Sequence, residues 1–248
     1  MNRHEITRVR HELRRRRLTL AQIETLSPGM RRLHFTSPEM DGFPSVGFDD
    51  HIKMFIPGTA APGERGTMRD FTPRRFDAAA GTIAIDYALH PAGPASDWAR
   101  DASVGDVLEI GGPRGSAIVS DDFDWYWLIG DMTALPAIGR RLEELGPGAP
   151  VTSIVLVDSA EDAQVIKTAA PWTPHWIVRD RADPDLLTQA ISAMTLPTGD
   201  GFVWIAAEAR AARAARAAVE ALGQPKAWIK AAGYWQQGDA AVHLRIDE

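Results

Sequence analysis

The pattern of apolar and turn-forming residues changes near residue 120, and this change constrains the fold more than any other feature of the sequence. Before it, six short β-like runs are separated by clusters of Gly, Pro and Asp, which is typical of a small antiparallel barrel. After it, apolar strands alternate with helical segments, which predicts a parallel, doubly wound α/β sheet of Rossmann-like type. We therefore expect a barrel domain at 18–120 and an α/β domain at 121–248, preceded by an arm at 1–17. The six runs lie at 18–25, 31–37, 51–56, 68–72, 82–90 and 106–110.

Composition excludes several classes of site. The chain has no Cys, which excludes disulfides, thiolate zinc sites and cysteine-ligated iron–sulfur clusters. Redox chemistry would therefore need a bound cofactor. No apolar run approaches the ~18 residues of a membrane span, and the charged start is unlike a secretory signal. We expect a soluble, cytoplasmic protein with no membrane partner.

The basic arm could serve either of two purposes. Residues 1–17 carry seven Arg and two Glu, a net charge of +5, so the remaining chain holds −11 of the total of −6. Such an arm could bind nucleic acid or an anionic surface. It could also be a solvated lead-in that folds back on the acidic body, and we favour this reading because no nucleic-acid module follows it.

A first motif with chemical potential is the run Arg69-Asp70-Phe71-Thr72-Pro73-Arg74. On a strand, Arg69 and Phe71 share one face. An arginine can clamp a pyrophosphate and an aromatic ring can cover a flat cofactor. Alone, the run also fits an ordinary strand with a surface arginine.

A second motif runs from Asp86 to His90 and continues from Gly93 to Trp98. Alternation places Asp86 and His90 on a small, polar face where a ligand could lie. Ala95 and Ser96 then open a helical turn whose N–H groups could hold a phosphate. His90 also fits a satisfied strand-end histidine, and no partner histidines stand at metal-ligand spacing, so we predict no metal site.

Two further stretches are strand–turn units. Residues 108–116 end a strand in a Gly/Pro turn that carries Arg114. Residues 125–138 form a strand, a turn and a helix, with Thr133 as the predicted N-cap. The second stretch lacks the Gly-rich dinucleotide fingerprint, so on physical grounds alone it is weak evidence for a nucleotide-binding site.

Taken together, the motifs resemble the siderophore-interacting protein family of FAD-dependent ferric-siderophore reductases, which have the ferredoxin-reductase-like fold. The matching stretches, including these motifs, occur in the family's order along nearly the whole chain. They lie at 51–57, 69–74, 86–90, 93–98, 112–116, 130–138, 204–208 and 233–238.

The resemblance implies a flavin-binding barrel followed by a domain that binds NAD(P)H. Arg69 would hold the FAD pyrophosphate, Phe71 would pack against the flavin, and Thr72 would lie near its reactive edge. Further FAD contacts are implied for Asp86, Leu89, His90, Gly93, Ala95, Ser96, Thr133 and Ala134.

The same resemblance implies positions for the other two reactants. Lys53 and Arg114 match basic positions that attract an anionic ferric siderophore. Asp158 and Glu208 would lie near the nicotinamide cofactor, and Asp158 could bond a ribose hydroxyl. No side chain is implied as a catalytic acid or base, because the cofactor performs the electron transfer.

Three departures from the family pattern bear on function. Phe71 stands where Tyr is usual, which removes a hydroxyl hydrogen bond worth about 1 kcal/mol. Met132 replaces a usual acidic residue. Gln236 and Gln237 stand where an Arg is usual, which favours a less anionic chelate, such as a hydroxamate or mixed type, over a catecholate.

Alternatives stay open at this stage. The chain could be a general flavin or ferredoxin-type reductase, or a siderophore carrier without enzymatic activity. The electron donor could be NADH, NADPH or a ferredoxin. We expect a monomer.

Overall fold

The computed structural model describes residues 4–59, 66–91, 93–180, 183–237 and 244–246. The chain divides into two compact units, one of residues 5–119 and the other of His4 with the described residues from 120 onward. No helix formed by the described residues is both long and apolar enough to span a bilayer.

The first unit is mainly β-structure. Seven of its strands form an antiparallel sheet in the order β5-β4-β8-β2-β3-β7-β6, and β1 pairs with β9 in a separate two-stranded ribbon. Its elements are β1 (Ile6–Arg10), β2 (Arg15–Ser27), β3 (Met30–Thr36), β4 (Ile52–Phe55), β5 (Met68–Phe71), β6 (Pro73–Asp77), β7 (Thr82–Ala88), α1 (Pro94–Asp101), β8 (Val107–Gly111) and β9 (Gly115–Val119).

The seven-stranded sheet is closed by chain continuity. Its edge strands β5 and β6 are consecutive in the chain and are separated only by Thr72. This link brings the two edges together and makes the sheet a barrel, as predicted. The expected number of strands, six, is wrong, because β6 is an additional strand that lies after the predicted run 68–72. Pro73 separates it from β5, since a proline cannot supply the N–H that one continuous strand would need.

Alternating side chains fill the barrel. Along β2, Leu18 and Leu20 are buried while their neighbours Arg17 and Thr19 are exposed, which is the period of two that a half-buried strand requires. The core holds mostly Leu, Ile, Met and Phe from all sides of the barrel. Part of the basic arm is also structured, since it supplies β1 and the first residues of β2.

The second unit is a parallel sheet with helices, which confirms the predicted α/β class. The sheet order is β12-β11-β10-β13-β14-β15, and only the last strand is antiparallel to its neighbour. The elements are β10 (Trp125–Asp131), α2 (Leu135–Glu144), β11 (Val151–Val157), β12 (Trp172–Val178), α3 (Leu186–Ser192), β13 (Gly201–Glu208), α4 (Ala209–Ala221), β14 (Ile229–Trp235) and β15 (Leu244–Arg245).

The strand order places a topological switch point at the centre of this sheet. From β10 the chain first moves outward through β11 and β12, and then returns to the other side of β10 with β13 and β14. Ligands of doubly wound folds bind outside the carboxyl ends of the strands at such a point. Gly130 allows the close packing there, because a Cβ atom would clash with the Ala206 carbonyl oxygen and the Ala134 methyl group.

Candidate functional site

The Arg69–Arg74 motif lies where the barrel closes. Arg69 is half-buried, and its Nη1 donates to the Met68 carbonyl oxygen at 2.8 Å. The half-buried Phe71 ring packs on Tyr87 with the ring centroids 4.5 Å apart. Burial raises the pKa of the Tyr87 hydroxyl well above its usual value. The Tyr87 side chain therefore stays uncharged where it packs against Phe71. Thr72 is buried between the two strands.

Asp86 is a buried carboxylate that holds two arginines. Its Oδ1 accepts from Arg32 Nε at 2.6 Å and its Oδ2 accepts from Arg32 Nη2 at 2.8 Å, while Arg74 Nε lies 3.7 Å from Oδ2. The carboxylate therefore orients a cationic pair, and its predicted contact with FAD stays a prediction. Leu89, also predicted to line FAD, is partly buried against the barrel core and donates its N–H to Gly29 O at 2.8 Å.

The start of α1 is tied to the end of β7. The Ser96 hydroxyl accepts from His90 N at 3.1 Å and donates to Ala88 O at 3.3 Å. Gly93 precedes the helix with φ of 143°, a value that favours glycine. The helix has no side-chain cap, so the N–H groups of Ala95 and Ser96, which have no carbonyl of a preceding turn to bond, are suited to an anion.

These groups fit the chemistry of FAD. Arg69 supplies a cation for a pyrophosphate, Phe71 supplies an aromatic surface, and the first turn of α1 supplies N–H donors. A cation, a ring and an uncapped helix start match parts of a flavin dinucleotide.

Lys53 lies in a row of residues across three strands. Arg15 and Lys53 both pair with Gly111 from opposite sides of β8, so all three share one face of the sheet. Lys53 is about half exposed and its Nζ donates to Asp70 Oδ2 at 2.7 Å. The Arg15 guanidinium stands 4.3 Å from the centroid of the Phe55 ring. The arm thus adds a cation near a predicted substrate residue, which the motifs alone did not indicate.

Arg114 lies in the turn between β8 and β9, and its side chain is exposed. Its carbonyl oxygen accepts from His11 N at 2.9 Å, which fastens the arm to this turn. Arg114 stands three residues after Gly111, which is the residue of β8 that pairs with Lys53.

A buried carboxylate supports the same region. Asp50 is 2% exposed, and its Oδ2 accepts from Ser116 Oγ at 2.6 Å, from Gly47 N at 3.0 Å and from Ser45 Oγ at 3.1 Å. Burial raises the pKa of Asp50, and these three hydrogen bonds oppose the rise. His11 Nε2 bonds Ser116 Oγ at 2.8 Å, so Asp50 links the segment before β4 to the arm.

In the second unit, Asp131 joins three strand ends at the switch point. Its Oδ1 accepts from Thr133 N at 2.9 Å and from Thr133 Oγ1 at 2.5 Å. Its Oδ2 accepts from Glu208 N at 3.0 Å and from Trp235 Nε1 at 2.9 Å. Asp131 is 3% exposed, so one buried carboxylate fixes the carboxyl ends of β10, β13 and β14.

This arrangement corrects the predicted cap of α2. The N-cap is Ala134, not Thr133, and the helix has no side-chain cap. The Thr133 hydroxyl is bound to Asp131 instead, which holds it in the turn before the helix. The predicted contacts of Thr133 and Ala134 with FAD are not tested by this geometry.

The two residues predicted near the nicotinamide both follow or end parallel strands. Glu208 caps α4, because its Oε2 accepts from Arg210 N at 2.6 Å and from Ala211 N at 3.1 Å. Asp158 directly follows β11 and is half-exposed, and its Oδ1 accepts from Arg179 Nε at 2.8 Å. The structure therefore brings Glu208 beside Asp131 and pairs Asp158 with a cation.

Sequence reasoning missed Arg32 and Asp131 as parts of the site. Asp131 ends an apolar strand and precedes a turn, which is a signal that could have marked it, since polar residues at the ends of buried parallel strands face the ligand edge. Arg32 carried no comparable signal, because its link to Asp86 depends on the register of β3 and β7.

The barrel with this set of groups, followed by a doubly wound sheet, defines a ferredoxin-reductase-like flavoprotein. Reductases under 20% identical to this chain share the fold. The chain belongs to the siderophore-interacting protein family. Residues 123–238 match the model for siderophore-interacting protein, and residues 19–64 and 58–117 match the model for the siderophore-interacting FAD-binding domain.

Individual relatives agree with this assignment. The chain is 33% identical over 246 residues to the NADPH-dependent ferric-chelate reductase of Escherichia coli, covering 92% of this chain and 95% of the relative. It is 29% identical over 202 residues to a ferric vibriobactin reductase of Vibrio cholerae, covering 74% of each. The crystal structure of a siderophore utilization protein from T. fusca superposes with a TM-score of 0.87 at 31% identity, covering 96% of this chain and 98% of the other.

Proposed function

We propose that this protein is an FAD-dependent ferric-siderophore reductase that moves electrons from NAD(P)H to Fe(III), so that Fe(II) is released. The observation that carries the proposal is the set of FAD-compatible groups at the barrel: Arg69, Phe71 and the uncapped start of α1. The chain belongs to the siderophore-interacting family, and a ferric-chelate reductase is among its relatives. These relationships support a ferric siderophore as the electron acceptor.

A flavin accepts a hydride from a nicotinamide and delivers electrons singly to iron, and this is the chemistry that FAD supplies. The chain's own residues bind and orient the reactants. Arg69 neutralises pyrophosphate charge, Phe71 covers one side of a flat ring, and Lys53 and Arg114 attract an anionic chelate. No side chain is assigned as a proton donor or acceptor, because reduction of ferric iron needs none.

We assign FAD binding to residues 18–120 and binding of the nicotinamide to residues 121–248. The second assignment is supported by the switch point, where Asp131 and Glu208 lie at the carboxyl ends of neighbouring strands. Residues 15–17 of the arm extend the barrel as the start of β2, and Arg15 lies on the face that carries Lys53.

The chelate that we propose is a hydroxamate or mixed type of low negative charge. Asp70 neutralises Lys53 in the ion pair at 2.7 Å, and the neutral Gln236 and Gln237 stand in the last motif. Both features reduce attraction for a highly charged catecholate complex. NADPH is the donor we propose, since it is the donor in the name of the Escherichia coli relative. A ferredoxin is the alternative, and we further propose a cytoplasmic monomer.

The test is the flavin content and acceptor preference of the purified protein. We expect a yellow protein with bound FAD that oxidises NADPH faster with ferric siderophores than with ferricyanide or a quinone. A preference for the artificial acceptors would favour a general flavin reductase. A colourless protein that binds ferric siderophore but not added FAD would favour a carrier, and either result would overturn the proposal.

A further inference from the structure

A largely buried hydrogen-bond network adjoins the turn that carries Arg114. Ser116 Oγ donates to Asp50 Oδ2 at 2.6 Å, and His11 Nε2 bonds the same Ser116 oxygen at 2.8 Å. Asp50 and Ser116 are 2% and 5% exposed. These three residues, the Ser116 network, join three segments of the first unit that are far apart in the sequence: the arm, the segment before β4, and β9.

The groups themselves fix the direction of these hydrogen bonds. Asp50 Oδ2 also accepts from the Gly47 N–H and the Ser45 hydroxyl, so it is the acceptor at the centre of the network. The Ser116 hydroxyl has one hydrogen and gives it to Asp50, so its oxygen can only accept from His11. His11 must therefore present an N–H at Nε2, which neutral and charged imidazole can both do. The network requires a donor at this position rather than a positive charge.

The network adjoins both cations that are proposed to attract the ferric chelate. Arg114 stands two residues before Ser116, and Lys53 stands three residues after Asp50. The bond between Ser116 and Asp50 therefore ties together the two segments that carry these cations. Both cations are exposed, whereas Ser116 and Asp50 are buried. A buried support thus holds the backbone from which two exposed charges extend.

The arm also holds the backbone of this turn close to Arg114. His11 N donates to the Arg114 carbonyl oxygen at 2.9 Å, and Gly112 N donates to the Arg14 carbonyl oxygen at 3.1 Å. Gly115 permits the close approach, because a Cβ atom there would lie 2.6 Å from a carbonyl oxygen of β1. His11 therefore acts on the turn twice, through its backbone at Arg114 and through its side chain in the Ser116 network.

We propose that the Ser116 network positions Arg114 for an anionic ferric chelate, and that His11 is a positioning residue supplied by the arm. Ser116 and Asp50 are buried, so they act through Arg114 and not by contact with the chelate. Without the His11 donor the turn is less constrained, and the attraction between the displaced Arg114 charge and the chelate falls with distance. The inference rests on the proposed function, because it concerns the same ferric chelate.

The experiment measures binding of two ferric chelates to the oxidised, FAD-loaded protein without an electron donor. Ferric citrate, which is anionic, and ferrichrome, which is neutral, are each titrated while the quenching of tryptophan fluorescence is followed. His11→Ala should weaken the binding of ferric citrate by roughly threefold to fivefold, the upper range for one exposed charge pair, and leave that of ferrichrome nearly unchanged. His11→Gln, whose amide supplies an N–H donor near the position of Nε2, should restore most of the affinity.

A double-mutant cycle tests whether His11 acts through Arg114. Arg114→Ala alone should weaken the binding of ferric citrate by a similar factor. Adding His11→Ala to Arg114→Ala should weaken it no further, because no charge remains to be displaced. The matched control is His34→Ala in β3, since His34 also bonds a carboxylate, Glu24 Oε2 at 3.2 Å, outside the network. This control should change the affinity for neither chelate.

Turnover with NADPH separates positioning from a general loss of structure. His11→Ala should raise KM for ferric citrate and leave kcat, FAD content and the reduction of menadione, a neutral quinone, unchanged. The inference is overturned if His11→Ala lowers all of these together, leaves the affinity for ferric citrate unchanged, or weakens both chelates equally. It is also overturned if the effects of His11→Ala and Arg114→Ala add in full, or if His11→Gln binds ferric citrate no better than His11→Ala.

The failure of this inference is distinguishable from failure of the proposed function. A wild-type protein that reduces ferric chelates with NADPH, together with an affinity for ferric citrate that His11→Ala does not change, overturns only the role of the Ser116 network. A wild-type protein that binds no FAD, or that reduces neither ferric chelate, overturns the proposed function and this inference with it.

Discussion

Trp235 Nε1 donates to Asp131 Oδ2 at 2.9 Å, and this bond joins the end of β14 to the end of β10 across the intervening strand β13. The same oxygen accepts from Glu208 N at the end of β13. One carboxylate thereby holds three adjacent strand ends together at the edge where a doubly wound sheet binds its ligand.

Replacing Asp131 with Ala should destabilise the second unit by about 3 kcal/mol, because four donors lose a buried, charged acceptor. Urea unfolding measures the loss. Trp235→Phe, which removes one donor only, should cost about 1 kcal/mol. The matched control is Asp185→Asn at an exposed carboxylate, and a cost as large as that of Asp131→Ala would contradict the role given to Asp131.

Replacing Arg69 with Ala should raise the dissociation constant of FAD roughly tenfold to hundredfold, because a charge-assisted hydrogen bond to the pyrophosphate is lost. Equilibrium dialysis or flavin fluorescence on the apoprotein measures it. Arg75→Ala, at an exposed position of β6 directly after the motif, is the control and should leave FAD affinity unchanged. Equal losses from the two variants would show that Arg69 has no specific contact with FAD.

The ion pair of Lys53 and Asp70 predicts opposite effects of the two charges on substrate affinity. Lys53→Ala should raise KM for a ferric siderophore more than it lowers kcat, because it removes an attractive charge before the chemical step. Asp70→Asn should lower KM, since it frees the ammonium group from its partner at 2.7 Å.

Both effects on KM should shrink as salt concentration rises, because the side chain of Lys53 is exposed and its charge is screened. FAD occupancy is measured for each variant, so that an effect of Asp70 on the flavin is separated from its effect on the substrate. A fall in kcat without a change in KM for Lys53→Ala would argue against an electrostatic role.

Asp50 predicts a pH dependence of stability in the first unit. Burial raises the pKa of Asp50 above its ordinary value of 3.8. Between that value and the raised one, the folded protein holds more protons than the unfolded chain, so the stability contributed by this group falls as pH increases. The free energy of unfolding of the wild type, relative to Asp50→Asn, should therefore decrease across this window and be constant above it.

Measuring both proteins by denaturant unfolding from pH 3.5 to pH 8 would test the sign. A difference that grows as pH rises through the acid range would mean that the hydrogen bonds from Ser45, Gly47 and Ser116 outweigh the burial of the carboxylate.

Much of the fold was predictable because its signals are local. Gly and Pro clusters mark the barrel turns, and apolar runs mark the parallel strands, so the barrel and the α/β unit could be read without long-range information. The predicted run 68–72 corresponds to β5, but β6 (Pro73–Asp77) was missed. Its charged residues gave no strand pattern, and only its pairing with β7 identifies it as a strand.

The site was predictable where a motif carries it and not where register does. Arg69, Ser96 and Thr133 stand in short motifs, so a role could be proposed for each from the sequence, and their contacts with FAD stay predictions. The pairs Asp86–Arg32 and Asp158–Arg179 join residues far apart in the chain, and only strand pairing brings them together. The cap of α2 failed for a different reason, since Asp131 competes successfully for the Thr133 hydroxyl.

The central claim is electron transfer from the nicotinamide through bound FAD to siderophore-held iron. The most direct measurement is to reduce the FAD-loaded protein with NADPH without oxygen, mix it with a ferric hydroxamate siderophore, and follow flavin absorbance together with Fe(II) trapped by a ferrous chelator. We predict that oxidised-flavin absorbance returns as about two ferrous ions appear per flavin, because a flavin carries two electrons and ferric iron accepts one. Flavin that stays reduced in the presence of the ferric siderophore, with no Fe(II) trapped, would contradict the account.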